Sequence, residues 1–330
     1  MQERVRGKHE KPYLAVPHPK SSKEDLAYFH GWRIIGSVES IKSDLLLRTH
    51  HDSEALSLAL KIVSFGQRIE NSGGPEVAYL TGASTKMHGF GCIQLMTTNS
   101  VLPDEQFLEA IRTLDAFKFN RTGISNYLKT AFQHTSRFID DVAAGRDPVE
   151  EATNSNNADA TVSLGSNLAF NVAKTKADTA QTARVLMNSI GKPFSEVPWS
   201  EIPVVDTNAP RWLSILKGNV MGIMLFGMMK RDFTDPFNGA YSEDVSCTAT
   251  QLLLALKIYK SRHGALPDSL SSLVPEFFPA VPTDAFDGKP FRYSPQEQII
   301  YSVGPDLKDS GGAERNQDPK SDDISFKIGF

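Results

Sequence analysis

Through most of the first 145 residues, apolar positions recur every three or four places, the spacing that gathers one face of a helix with 3.6 residues per turn. Leu56, Ala59, Ile62, Val63 and Ile69 make one such stripe. The cluster Asn71-Ser72-Gly73-Gly74-Pro75 ends it, because glycine and proline there break helical hydrogen bonding. Pro75 opens a second helix reaching about Thr98, in which Gly82, Ala83, Gly89 and Gly91 predict close approach of a neighbouring backbone. Leu102-Pro103-Asp104-Glu105 starts a third, with proline and two acids in a first turn where the helix dipole favours them. Phe107, Leu108, Ile111 and Leu114 are its inward face. Asn120 is placed to cap a longer helix whose stripe runs from Ile124 through Tyr127, Leu128, Ala131 and Phe132 to Val142, with Gly145 closing it.

Residues 146–165, rich in Asp, Asn, Ala and Thr, lose this periodicity and read as a linker or long loop. Helical patterning resumes near Leu168 and runs to Gly191-Lys192-Pro193, followed by an irregular, proline-punctuated stretch. Trp212–Met229 is the most apolar segment, yet Lys217 and Asn219 interrupt it. The uninterrupted part is about half of the ~20 residues a bilayer span needs, so a buried or amphipathic helix is predicted. The organisation read from these patterns is a basic N-terminal stretch (1–22), a helical domain (23–145), a linker (146–165), further helices packing on the body (166–244) and a separate module (245–330).

The last part is the most distinctive. A helix from about Val245 to Arg262 carries Val245, Ala249, Leu252, Leu256 and Tyr259 on one face and ends at Gly264. Leu266-Pro267-Asp268 starts a short helix through Leu270, Leu273 and Val274, stopped by Pro275. Asp287-Gly288 is a turn. Phe291–Tyr293 and Gln298–Val303 read as two strands of a small hairpin, with Ile324, Phe326 and Ile328 alternating as a third. The fold class expected is α+β: a helical bundle or short stack followed by a helix and a small antiparallel sheet.

In its run "ALKIYKSRHGALPDSLSSLV", its turn "DAFDGKPFRY" and its "YSVGPD" before an acidic loop, this tail resembles the globular domain of the type II secretion major pseudopilin. The whole chain is similar to bacterial envelope proteins that carry such a tail as an accessory module. The resemblance implies a helix packed on a small sheet and a calcium site in the acidic loop, with the family's two aspartates falling on Asp306 and on Asp323 or its neighbour Asp322. Calcium takes six to eight oxygens, and Asp309, Ser310, Glu314, Asp318 or main-chain carbonyls would have to complete the shell. The loop departs from the family in its inserted run Ala313–Lys320, and the long apolar N-terminal helix that assembles pseudopilins is missing, so a pilus subunit is not expected.

Composition narrows the function classes. With 40% hydrophobic and 22% charged residues the chain is globular, and a net charge of −4 provides no basic footprint for nucleic acid. Residues 1–20 lean basic, with Arg4, Arg6, Lys8, Lys11 and Lys20 against Glu3 and Glu10, and lack the apolar region of a signal peptide. Either the protein is cytoplasmic or an anchor has been removed. Two cysteines, Cys92 and Cys247, support neither a disulfide framework nor a thiolate metal cluster.

Chemical motifs are sparse. Adjacent His50 and His51 point about 100° apart on a helix and cannot jointly grip one metal. Ser214-Ile215-Leu216-Lys217 matches an SxxK pattern but lacks the partners of an acyl-transfer site. Asp140-Asp141 and Glu150-Glu151 read as solvated pairs. The leading reading is therefore a non-catalytic envelope or scaffold protein working through a protein partner. The others are a hydrolase assembled from scattered residues such as His88, His134 or Asp140, and a calcium-dependent binding module.

Overall fold

The computed structural model describes residues 22–146, 170–204, 218–313 and 319–330. The expected basic N-terminal stretch, nearly all of the linker, Ser214–Lys217, Glu150-Glu151, Glu314 and Asp318 lie outside the described residues. The class is α+β, with helices α1 (Ser22–Arg48), α2 (Asp52–Glu70), α3 (Glu76–Asn99), α4 (Asp104–Leu114), α5 (Arg121–Ala143), α6 (Val172–Ser189) and α7 (Val220–His263), then strands β1 (Arg292–Ser294), β2 (Ile299–Ser302) and β3 (Ile324–Lys327).

Helices α2 and α3 form a hairpin against which α1 lies, and the predicted stripe of α2 is buried throughout. Small residues set how near the pair comes. A Cβ on Gly82 would sit 2.6 Å from the Gly66 carbonyl oxygen, and one on Gly89 would sit 2.9 Å from the Val63 backbone nitrogen. Gly91, predicted to serve the same packing, faces open space instead. Asn120 caps α5 as its position predicts, accepting a hydrogen bond from the Gly123 amide at 3.0 Å. Asn171 does the same for α6, accepting from the Lys174 amide at 2.9 Å.

The largest departure from expectation is α7. A helix starting near Val245 was predicted, but a single 44-residue helix begins at Val220, so the boundary placed between 244 and 245 falls in mid-helix. Pro236 lies inside it, where its ring removes one N–H and orphans the carbonyl four residues earlier. That carbonyl belongs to Asp232. The Tyr127 hydroxyl on α5 donates to it at 2.6 Å, so a neighbouring helix supplies the bond that proline deletes. Tyr127→Phe should then lower stability by about 1–2 kcal/mol, measured by urea unfolding, by leaving a buried acceptor unmatched. An unchanged midpoint would show that the contact carries no weight.

The tail builds on the same core. The three strands form an antiparallel sheet in sequence order, with Tyr293 opposite Ile300 and Ile300 opposite Phe326. The observed strands lie within about one residue of the predicted limits. The expected short helix after Leu266 is only a single 3₁₀ turn, Leu270–Leu273, since Pro267 and Pro275 leave too little chain between them for a regular helix. Gly264 takes a left-handed conformation at the end of α7 (φ 78°).

One hydrophobic cluster holds residues of α2 to α7 together with Phe286, Phe291, Ile300, Val303 and Ile328 of the tail. Its aromatic heart joins three segments: the Phe194 ring lies 5.3 Å from Tyr241 and 5.2 Å from Phe286. The Phe194 and Ser195 amides donate to the Ala285 and Phe286 carbonyls, and the Tyr241 hydroxyl donates to the Lys192 carbonyl. The sheet is thus attached to the body by backbone bonds as well as by packing.

Candidate functional site

The acidic loop is organised by its carboxylates. Asp323 is buried, and its Oδ2 accepts from the Ser310 amide at 3.1 Å and the Gly312 amide at 2.8 Å. Its Oδ1 is buried and lacks a hydrogen-bond partner among the described residues. Burial pushes the Asp323 carboxyl up, the two amides hold it down, and the nearby charges of Asp309 and Asp306 push it up again, with a net rise. Asp309 is tied to the Tyr301 hydroxyl at 3.1 Å and to the Gly311 amide at 3.0 Å. Asp306 accepts from the Lys308 amide at 3.0 Å, a local turn bond. Asp322 contributes its backbone: the carbonyl oxygen would lie 1.9 Å from a Cβ on Gly304, which is why that position is glycine.

The loop therefore brings Asp306, Asp309 and Asp323 into one neighbourhood. Among the described residues, however, no three His, Cys, Asp or Glu side chains converge as metal ligands. A calcium ion there would need Glu314, Asp318 or main-chain oxygens in addition to Asp323 Oδ1.

Beside the loop, Asp284 is a buried anchor that sequence reading treated only as part of a turn. Its Oδ1 accepts from the Phe286 amide and the Ser302 hydroxyl, at 2.9 and 2.8 Å, and its Oδ2 from the Val303 amide and Arg292 Nη1, at 2.9 and 3.1 Å. Arg292 also forks onto Asp287, with Nη1 at 2.9 Å from Oδ1 and Nη2 at 2.5 Å from Oδ2. Burial pushes Asp287 up, but the Arg292 hydrogen bonds and charge prevail and hold its carboxyl below the usual range.

A second polar centre, unforeseen from the sequence, lies deep among the helices. Lys86 of α3 is buried between Glu70 of α2 and Glu243 of α7, with Nζ at 3.2 Å from both Glu70 Oε2 and Glu243 Oε1. Asn120 donates to Glu70 as well, so the α5 cap is tied to the same carboxylate. Burial drives the Glu243 carboxyl up to about 8; Lys86 opposes the rise, and the neighbouring Glu70, within hydrogen-bond reach, adds to it. Burial therefore favours the protonated form of Glu243, and Lys86 is the cation that opposes it. The signal available in the sequence was positional: Lys86 lies four residues after Gly82 and three before Gly89, on the face where α2 and α3 come closest.

The scattered candidates for hydrolysis remain apart. His134 on α5 pairs with Glu76 at 3.6 Å, and that contact raises its pKa. Asp140 pairs with Lys176 of α6 at 2.6 Å. His88 is exposed on α3, twelve residues and so about 18 Å along that helix from Glu76. Three surface clefts, of about 460, 570 and 350 Å³, include no histidine or cysteine in their walls, nor Glu70, Lys86 or Glu243. The largest, between α4, α7 and residues 277–283, has Asp244, Thr248 and Gln251 among its lining residues. No helix among the described residues is long and apolar enough to cross a membrane.

No protein-family model matches the chain, and no curated protein or solved structure matches it.

Proposed function

We propose that this protein is a non-catalytic scaffold of the bacterial cell envelope that acts through a protein partner, with its pseudopilin-like tail as a recognition module. The observation that carries the reading is the distribution of polar chemistry. The charged cluster Glu70–Lys86–Glu243 is sealed inside the core away from the clefts, as a device that fixes helix register is, while His134 pairs with Glu76 and His88 lies exposed elsewhere on α3. The envelope placement rests on the resemblance of the tail.

The test is in-cell crosslinking of the whole chain, followed by purification. A stoichiometric protein partner, recovered by the natural sequence and lost when Arg292→Ala loosens the tail, is the expected result. Turnover of ester, peptide or phosphate substrates that disappears with His134→Ala would replace the scaffold reading with the hydrolase.

A calcium-dependent binding module is a second reading, favoured by one feature: Asp323 Oδ1, buried, without a hydrogen-bond partner among the described residues, and close to Asp306 and Asp309. A cation bound only by the folded form raises the melting temperature. Calcium should then raise the midpoint over a chelator control, and Asp323→Asn should abolish the rise. Equal melting in both solutions would retire the calcium reading and leave the scaffold reading standing.

A further inference from the structure

The outward face of α1 is apolar although none of the described residues covers it. Its inward face is fully used: Phe29 and Trp32 pack with Ile69 and Ala78, Gly36 meets Thr85, and the Ser40 carbonyl accepts from Cys92. On the opposite side Ile34, Val38, Ile41 and Leu45 are 49–68% exposed, and Ile35 is half exposed beside them. The spacing of four, three and four residues keeps these four side chains in one continuous stripe. Isolated exposed aliphatics are ordinary on protein surfaces, but an aligned set on one helix marks a contact face.

Charge around the stripe says what it contacts. In helical projection Lys42 and Arg48 fall directly beside the stripe, one on each flank, while Glu39 and Asp44 sit further round toward the packed side. Lys42 pairs with Glu39 at 3.8 Å and Arg48 with Asp44 at 2.7 Å, but the cations are the more exposed partners, 59% and 73% against 37% and 36%, and surface pairs of this kind are weak enough for a phosphate to replace the acid. Long cationic side chains bordering an aliphatic face extend their heads toward phosphates while their stems add to the apolar surface. The sequence leading into the helix adds Arg4, Arg6, Lys8, Lys11 and Lys20 against only Glu3 and Glu10. A second copy of the chain is a poorer match. Centred on the stripe, a parallel self-pair would set Lys42 against Ser37 and Arg48 against its own equivalent, and an antiparallel one would set Lys42 against Ile35 and Arg48 against Gly31, with no acid opposite either cation.

We infer that α1 is a membrane-surface docking element, laying Ile34, Val38, Ile41 and Leu45 into the headgroup region of an anionic bilayer with Lys42 and Arg48 on its phosphates. The helix lies in the interface rather than crossing it, since its other face is committed to α2 and α3. Each cation near such a surface strengthens binding about fivefold at moderate salt.

The experiment is cosedimentation of the full chain with vesicles of phosphatidylcholine, with and without phosphatidylglycerol. Binding should require phosphatidylglycerol and weaken steeply in high salt, as screening shortens the reach of the cations. The variant Ile34→Ser/Val38→Ser/Ile41→Ser/Leu45→Ser, all at exposed positions, should keep the natural circular dichroism and melting temperature but lose binding by about tenfold or more. Val101→Ser, removing an exposed aliphatic elsewhere, should bind as the natural chain does. Should the fourfold variant fold poorly, Ile41→Lys alone tests the same face. Failure to bind anionic vesicles, or binding that survives the stripe substitutions, overturns the inference. So does a dimer in light scattering that those substitutions convert to monomer, because the stripe would then be a self-interface.

Discussion

Replacing Lys86 by methionine is expected to destabilise this protein by about 3–5 kcal/mol, because it removes the cation and leaves two glutamates in a site closed to water. The measurement is urea unfolding followed by circular dichroism. The size of the loss reports the isolated carboxylates rather than a gain from the ion pair, since a buried pair repays its desolvation only while both partners remain. The triple change Lys86→Met/Glu70→Gln/Glu243→Gln should therefore recover most of the loss. A triple variant as unstable as the single one would mean that Lys86 matters through packing against Gly66 and not through charge.

The same centre sets a pH dependence whose sign follows from Glu243. Its folded pKa, about 8, lies above the ordinary value of 4.5, so the folded chain binds the proton more tightly than the unfolded chain. This group contributes stability that is fully present below about 4.5 and is lost as pH rises to about 8. Compared with Glu243→Gln, which has no proton to release, the natural chain should lose stability across that interval. Parallel stability curves for the two proteins would contradict a raised Glu243.

The second large effect is expected at Asp284→Ala, about 3–5 kcal/mol, with early hydrogen exchange across residues 284–303. This one carboxylate satisfies two backbone amides, a buried hydroxyl and Arg292, so its removal leaves several donors without partners in a dry site. Asp284→Asn retains part of the acceptor capacity and should lose less. If the alanine variant exchanged at the natural rate, the hub would be ornamental and the aromatic packing around Phe286 would be what holds the sheet.

Much of the architecture was legible because it rests on local rules. The α2 stripe, the Asn120 cap, the glycine that ends α7 and three short strands in sequence order all follow from periodicity, capping and turn chemistry, which neighbouring residues specify among themselves. What failed involved partners distant in sequence. A helix was expected only from about Val245, yet α7 runs on through Pro236, where the Tyr127 hydroxyl, 105 positions from Asp232 along the chain, satisfies the carbonyl that proline orphans. Gly82 and Gly91 look equivalent in the sequence, yet one touches α2 and the other faces open space. The acidic loop was found, but the Asp323 oxygen left unbonded among the described residues was not, because which oxygen the Ser310 and Gly312 amides occupy depends on the folded loop.

By itself, then, the order of residues determined helices α2 to α6, the Asn120 cap, the small sheet and the α+β class, since each depends on contacts spanning a few positions. Only the folded arrangement decided that body and tail share one hydrophobic core, that Glu70, Lys86 and Glu243 meet inside it, and that the apolar side of α1 is left facing outward. Those three outcomes depend on which surfaces of distant helices are pressed together, and helical spacing alone shows that a face is apolar without showing what covers it.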